Sequence, residues 1–189
     1  MRGRTLILIA FAAGLPAWLS LAQPGASAEQ NRDDTASAPI YGEYEYVGGQ
    51  QQVEQMNREI EQGVEALSVF IRGIAERRLR EANRPTDRLT IVYANGEITV
   101  ARYGRPDMTA PASGTFIDWK HPENGNELRV SHQVRDGALL QRIEGERGSS
   151  VNRFVLSEDG QRLSVKTQVR VDRLEEPIRF DLSYRRASN

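Results

Sequence analysis

From Arg88 to Arg186 the chain alternates between apolar and polar residues, and that alternation leaves few folds open. The clearest run sets Leu163, Val165, Thr167, Val169 and Val171 against Arg162, Ser164, Lys166, Gln168 and Arg170. A period of two puts each set on one face of a pleated strand. Leu128, Val130, His132 and Val134 repeat the pattern, as do Ile178, Phe180, Leu182 and Tyr184. The pairs Asn95-Gly96, Asn124-Gly125 and Asp136-Gly137 punctuate the runs. Such pairs accept the positive φ angles that tight hairpin turns demand. Strands joined in this way are antiparallel, with one polar face. The spacing predicts about eight strands, and a meander of that length must curl or close to hide its edges. Arg105 to Ser113, with Pro106 and Pro111, reads as a loop.

Ahead of the strands lies a different period. Val53, Met56, Ile60, Val64, Leu67, Ile71, Ile74 and Ala75 recur mostly every three or four residues between Gln50 and Ala82. That spacing predicts one long helix with a single buried face. Asn83 and Pro85 supply its stop. Gly63 and Gly73 each weaken it by about 1 kcal/mol relative to alanine, so a kink or break is expected there if anywhere. The stripe must pack on the strands, along their concave side or across the mouth. Ile40 to Val47 holds Tyr41, Tyr44 and Tyr46 and reads as a short strand at an edge of the sheet. The fold class expected is therefore α+β, mainly β: a long amphipathic helix on an antiparallel β-meander that forms a barrel or half-barrel.

The first residues carry an address. Arg2 and Arg4 precede an apolar stretch from Thr5 to Ala22, and Ala26-Ser27-Ala28 offers a small-x-small cleavage site. Residues 1–28 are expected to be a signal peptide cut after Ala28, and 29–39 a disordered leader. Residues 40–189 would then form a single domain, secreted or periplasmic, without stable membrane insertion. Losing Arg2 and Arg4 moves the formal charge from −1 to −3. A nearly balanced, slightly acidic chain disfavours nucleic acid as a partner. The sequence has no cysteine, so no disulfide and no thiolate metal site can form.

The order of signal, tyrosine strand, helix and meander is accompanied by Phe154-Val155-Leu156-Ser157-Glu158-Asp159-Gly160-Gln161-Arg162-Leu163. The chain closes on Pro177-Ile178-Arg179-Phe180-Asp181-Leu182-Ser183-Tyr184-Arg185-Arg186. In these features it resembles a group of uncharacterised secreted bacterial proteins with a lipocalin-like β-meander. The resemblance implies a calycin-type barrel or half-barrel and carries no catalytic set.

No residues assemble into a recognisable reaction centre. There is no G-x-S-x-G elbow, and the two histidines, His121 and His132, lack the spacing of metal ligands. No cofactor, metal or catalytic residue is therefore assigned, and the chain is not read as an enzyme. His132 stands out because it shares the apolar face of its strand. A lone histidine there is commonly a core residue bonded to a backbone carbonyl; inside a barrel it could instead meet a ligand's head group. With Trp119, Phe154, Phe180 and Tyr184 it makes the candidate ligand-binding set. The function expected is a binding module that holds an apolar or amphipathic small molecule, or a lipid, inside the barrel. The alternative is a structural or protein-interaction module of the cell envelope, with the helix filling the barrel and leaving no cavity.

Overall fold

A computed structural model describes residues 39–188. The expected signal peptide, and all of the expected leader but Pro39, lie outside the described residues. In chain order the elements are β1 (Gly42–Tyr46), α1 (Gly49–Gly63), α2 (Val69–Asn83), β2 (Arg88–Ala94), β3 (Glu97–Arg102), β4 (Met108–Pro111) and β5 (Ile117–Lys120). They continue with β6 (Glu127–Arg135), β7 (Ala138–Gly145), β8 (Gly148–Leu156), β9 (Arg162–Val171) and β10 (Ile178–Arg186). All the pairings are antiparallel, in the order β4-β3-β2-β1-β10-β9-β8-β7-β6-β5.

Ten strands form where about eight were expected. One reason is β4, inside the stretch read as a loop. Met108 to Pro111 pairs with Val100 to Glu97, and Pro111 stands at its last position, where a missing N–H is tolerated. β4 and β5 act as two halves of one bent strand. β4 pairs with β3 and β5 with β6, while Ser113 between them bridges to Gln133 and the Gly114 amide donates to the His132 carbonyl at 2.8 Å. Gly114 makes this bend at φ +86°, beside the Gln133 side chain, where a side chain would be strained. The sheet thus curls into a nearly closed barrel. Asn95-Gly96 and Asp136-Gly137 have positive φ at both turn positions, the form that matches the twist of the flanking strands.

The single helix expected over Gln50–Ala82 is in fact two helices, α1 and α2. The break follows Gly63, whose missing Cβ would come within 2.5 Å of the Ile178 side chain. The chain turns there because α1 is pressed onto β10. Arg72 donates to the carbonyls of Glu65 and Leu67, satisfying turn groups that a continuous helix would have used internally. Met56, Ile60 and Val64 are buried with Ile178, Phe180 and Leu182. β1 registers only with the Tyr184–Arg186 end of β10, so the Ser183 amide has no strand partner there. The Gln52 side chain replaces one: its Oε1 accepts from the Ser183 amide at 2.8 Å, and its Nε2 donates to the Ser183 hydroxyl at 3.1 Å.

α2 differs from the expectation in another way. Leu79 and Ala75 pack on the core, but no α2 residue is buried, and Ile71 and Ile74, members of the expected stripe, face solvent beside Phe70 (91% exposed). Arg105, from the loop after β3, donates to the carbonyls of Glu81, Ala82 and Arg84 and so caps the end of α2. At the far end of the barrel, Arg186 donates to the carbonyls of Pro39, Tyr41 and Gly160 and to the Tyr44 hydroxyl.

Candidate functional site

The barrel is hollow. A cavity of about 980 Å³ lies within it and opens between the end of α2 and the turns that follow β3, β5 and β7. The helices border this space through Arg78, Leu79 and Ala82 and do not fill it. Its apolar wall includes Leu89, Phe154, Val165, Val169, Phe180 and Leu182. These positions share one phase of their strands, which is why period two brings them together. The volume is at the upper end for pockets that enclose a small organic ligand, typically about 300–1,000 Å³.

Of the five residues singled out from sequence, Trp119, Phe154, Phe180 and Tyr184 border the cavity. Trp119 is half-buried, stacks edge-on against His121 with ring centres 5.6 Å apart, and donates its indole N–H to the Asp107 carbonyl at 3.2 Å. His132 does not border the cavity. It is fully buried, with Nδ1 2.7 Å from the Ile98 carbonyl and Nε2 3.0 Å from Gln141 Nε2.

His132 belongs to a polar row that crosses four adjacent strands. The cross-strand partners are His132 and Gln141, Gln141 and Asn152, then Asn152 and Thr167. The Thr167 hydroxyl donates to Asn152 Oδ1 at 2.9 Å, and Asn152 Nδ2 donates to Gln141 Oε1 at 3.0 Å. Arg102 reaches over from β3 and donates to the same Gln141 oxygen at 3.0 Å. Sequence reading found His132 and missed Arg102, Gln141 and Asn152. The signal was present: Arg102 follows Ile98 and Val100 in phase, Gln141 follows Leu139, and Asn152 precedes Phe154.

Arg102 is the unusual member. It borders the cavity, and among the described residues no carboxylate pairs with it. Burial lowers its pKa to about 10, offset in part by the Tyr184 phenol, while the neighbouring Arg105 lowers it further. The guanidinium remains charged at neutral pH. Burial raises the pKa of Tyr184, so its phenol stays protonated there despite the nearby arginines. Burial also lowers the pKa of His132; the bond to Ile98 opposes this and the Arg102 charge adds to it. Arg105 is already committed to the carbonyls at the end of α2. The cavity therefore offers a broad apolar wall and one partly buried, charged donor without an acidic partner. Among the described residues, no group of three or more His, Asp or Glu side chains is placed to hold a metal ion.

No model of a known family matches the sequence, and no curated protein shows significant similarity to it. Solved structures do resemble the fold. A secretory abundant heat soluble protein from Ramazzottius varieornatus is 9% identical, with 78% of this chain and 95% of that one superposed at a TM-score of 0.50. Fatty-acid-binding protein 1 of Echinococcus granulosus is 14% identical over 79% of this chain and 98% of its own, with a TM-score of 0.48. A Schistosoma mansoni fatty-acid-binding protein solved with arachidonic acid is 17% identical over 80% and 98%, also at 0.48. At 9% identity that protein speaks for the fold alone, and with the strand order above it gives this chain a lipocalin-like β-barrel.

Proposed function

We propose that this chain is a binding module that holds one amphipathic molecule, its apolar body inside the barrel and a negatively charged head near Arg102. The observation that carries this reading is the partly buried Arg102 guanidinium, with no acidic partner, beside a roomy apolar cavity. A charge taken out of water needs a counter-charge or several strong hydrogen bonds. Here it has Gln141, and a bound anion would supply the rest. The apolar wall contributes the affinity, at roughly 25 cal/mol per Å² of ligand surface removed from water. Trp119, Phe154, Phe180 and Tyr184 contact the body in this reading, and His132 does not.

The neutral probe N-phenyl-1-naphthylamine tests the apolar part. Its fluorescence should rise saturably with one probe per folded chain. A linear, non-saturating rise would show that the barrel takes no ligand.

The module works outside the cytoplasm in this reading, supported by Arg2, Arg4, the apolar stretch from Thr5 to Ala22 and the Ala26-Ser27-Ala28 site. Intact-mass measurement on chain recovered from the producing cells' envelope or medium should give a mature chain beginning at Glu29. A full-length chain held in the cytoplasm would refute it.

A further inference from the structure

The polar row has a single direction. The Ile98 carbonyl can only accept, so His132 Nδ1 must carry a proton. Arg102 can only donate, so the Gln141 oxygen must face it. The Gln141 amide nitrogen is thereby turned to His132, and the ring's Nε2 must be bare to accept from it. The two ends of the row thus enforce a neutral ring. A second proton on His132 would set Nε2–H against the Gln141 NH2 group, donor against donor. Turning the Gln141 amide over resolves that conflict. Its oxygen then accepts from the ring, its NH2 group faces Arg102, and Asn152 turns over in step, so that its Oδ1 accepts from Gln141 and its Nδ2 donates to the Thr167 hydroxyl.

In that second arrangement Arg102, which borders the cavity, loses its acceptor and is left as a free donor on the cavity wall. The place suits an anion. We propose that Gln141 sets how free Arg102 is to hold a negatively charged head group, and that His132 is its positioning residue: as the ring takes up a proton, the Gln141 amide turns over and releases the Arg102 guanidinium to the ligand. This rests on the cavity reading above and adds that a proton binds together with the anion. The charged group acting on the ring is Arg102 of β3, with the Arg105 guanidinium and the neutral Tyr184 phenol of β10 beside it. Met108 of β4, Gln141 of β7 and Asn152 of β8, which make up the rest of the row's surroundings, are uncharged. A bound anion therefore opposes the Arg102 repulsion that adds to burial in keeping the ring neutral. By reciprocity, an anion that raises the ring's pKa binds more tightly as pH falls through that range.

Two probes that differ by a sulfonate separate the claims. N-phenyl-1-naphthylamine is neutral; 1-anilinonaphthalene-8-sulfonate keeps its charge throughout the range. The chain has two histidines, so ring resonances are readily resolved, and a His121→Asn variant assigns them. The sulfonate probe should raise the pKa of His132 relative to the neutral probe. Its affinity should strengthen as pH falls from neutral through the lowered range in which the His132 ring titrates, by up to about tenfold for a pKa rise of one unit. The neutral probe's affinity should stay flat. In Gln141→Met, which cannot turn an oxygen to the ring, the pH dependence of the sulfonate should vanish while the neutral probe still binds. If both probes bind the wild type and His132 titrates alike with each, the inference is overturned and the cavity reading stands. If neither probe binds, both are overturned.

Discussion

Replacing Arg102 by leucine should stabilise the protein while weakening an anionic ligand by about ten- to a hundredfold. The two effects have one cause. The guanidinium sits beside the cavity without a carboxylate, and burial holds its pKa at about 10, well below the ordinary guanidinium range. A base whose folded pKa is depressed weakens the fold at every pH at which the unfolded chain would be protonated and the folded one strained. At neutral pH the leucine variant escapes that penalty, worth about 1–3 kcal/mol after allowance for water in the cavity. The deletion orphans nothing, because the Gln141 oxygen still accepts from Asn152 at 3.0 Å. On the binding side, a charge-assisted hydrogen bond contributes about 1.5–3 kcal/mol, which gives the stated range. The neutral probe should bind the variant as it binds the wild type. Thermal melts and paired titrations with the two probes check this. A variant less stable than the wild type, or one that holds the sulfonate equally well, would show that Arg102 is a structural residue.

Ile60→Asp should produce the largest loss of stability. Ile60 is fully buried where α1 meets the Ile178–Leu182 part of β10. A carboxylate there would have no partner, because Ile60 lies in a hydrophobic cluster with Met56, Val64 and Ile178. An unpaired buried charge in place of a core isoleucine removes about 3–5 kcal/mol. For a domain of this size that lowers the melting temperature by about 10 °C or more. Phe70→Asp on α2 is the matched control, because that ring is 91% exposed; such a surface change is expected to stay within about 0.5 kcal/mol. Equal melting temperatures for Ile60→Asp and the wild type would show that α1 is not docked on the barrel.

Much of the fold could be read from the sequence because its determinants are local. Alternation along β6, β9 and β10 fixed which side chains face inward, and Asn95-Gly96 and Asp136-Gly137 fixed two of the hairpins. What escaped was set by distant contacts. The end of α1 depends on how closely Gly63 approaches Ile178, a residue over a hundred positions away. β4 forms because β3 offers it an edge, against the warning of two prolines. The candidate site divides in the same way. Its aromatic wall follows from strand phase. Arg102 and Gln141 lie on the apolar phase of their strands, yet only the closed barrel brings the two within 3.0 Å across its interior. Polar residues at core-phase positions of successive strands were the available sign, and His132 alone was noticed.

A crystal structure of the mature chain grown with 1-anilinonaphthalene-8-sulfonate tests the central claim most directly. The account predicts the aromatic body among Phe154, Val165, Phe180 and Leu182, with sulfonate oxygens within hydrogen-bonding distance of Arg102. Density for the probe on the exposed face of α2, with the barrel interior empty of it, would contradict the account.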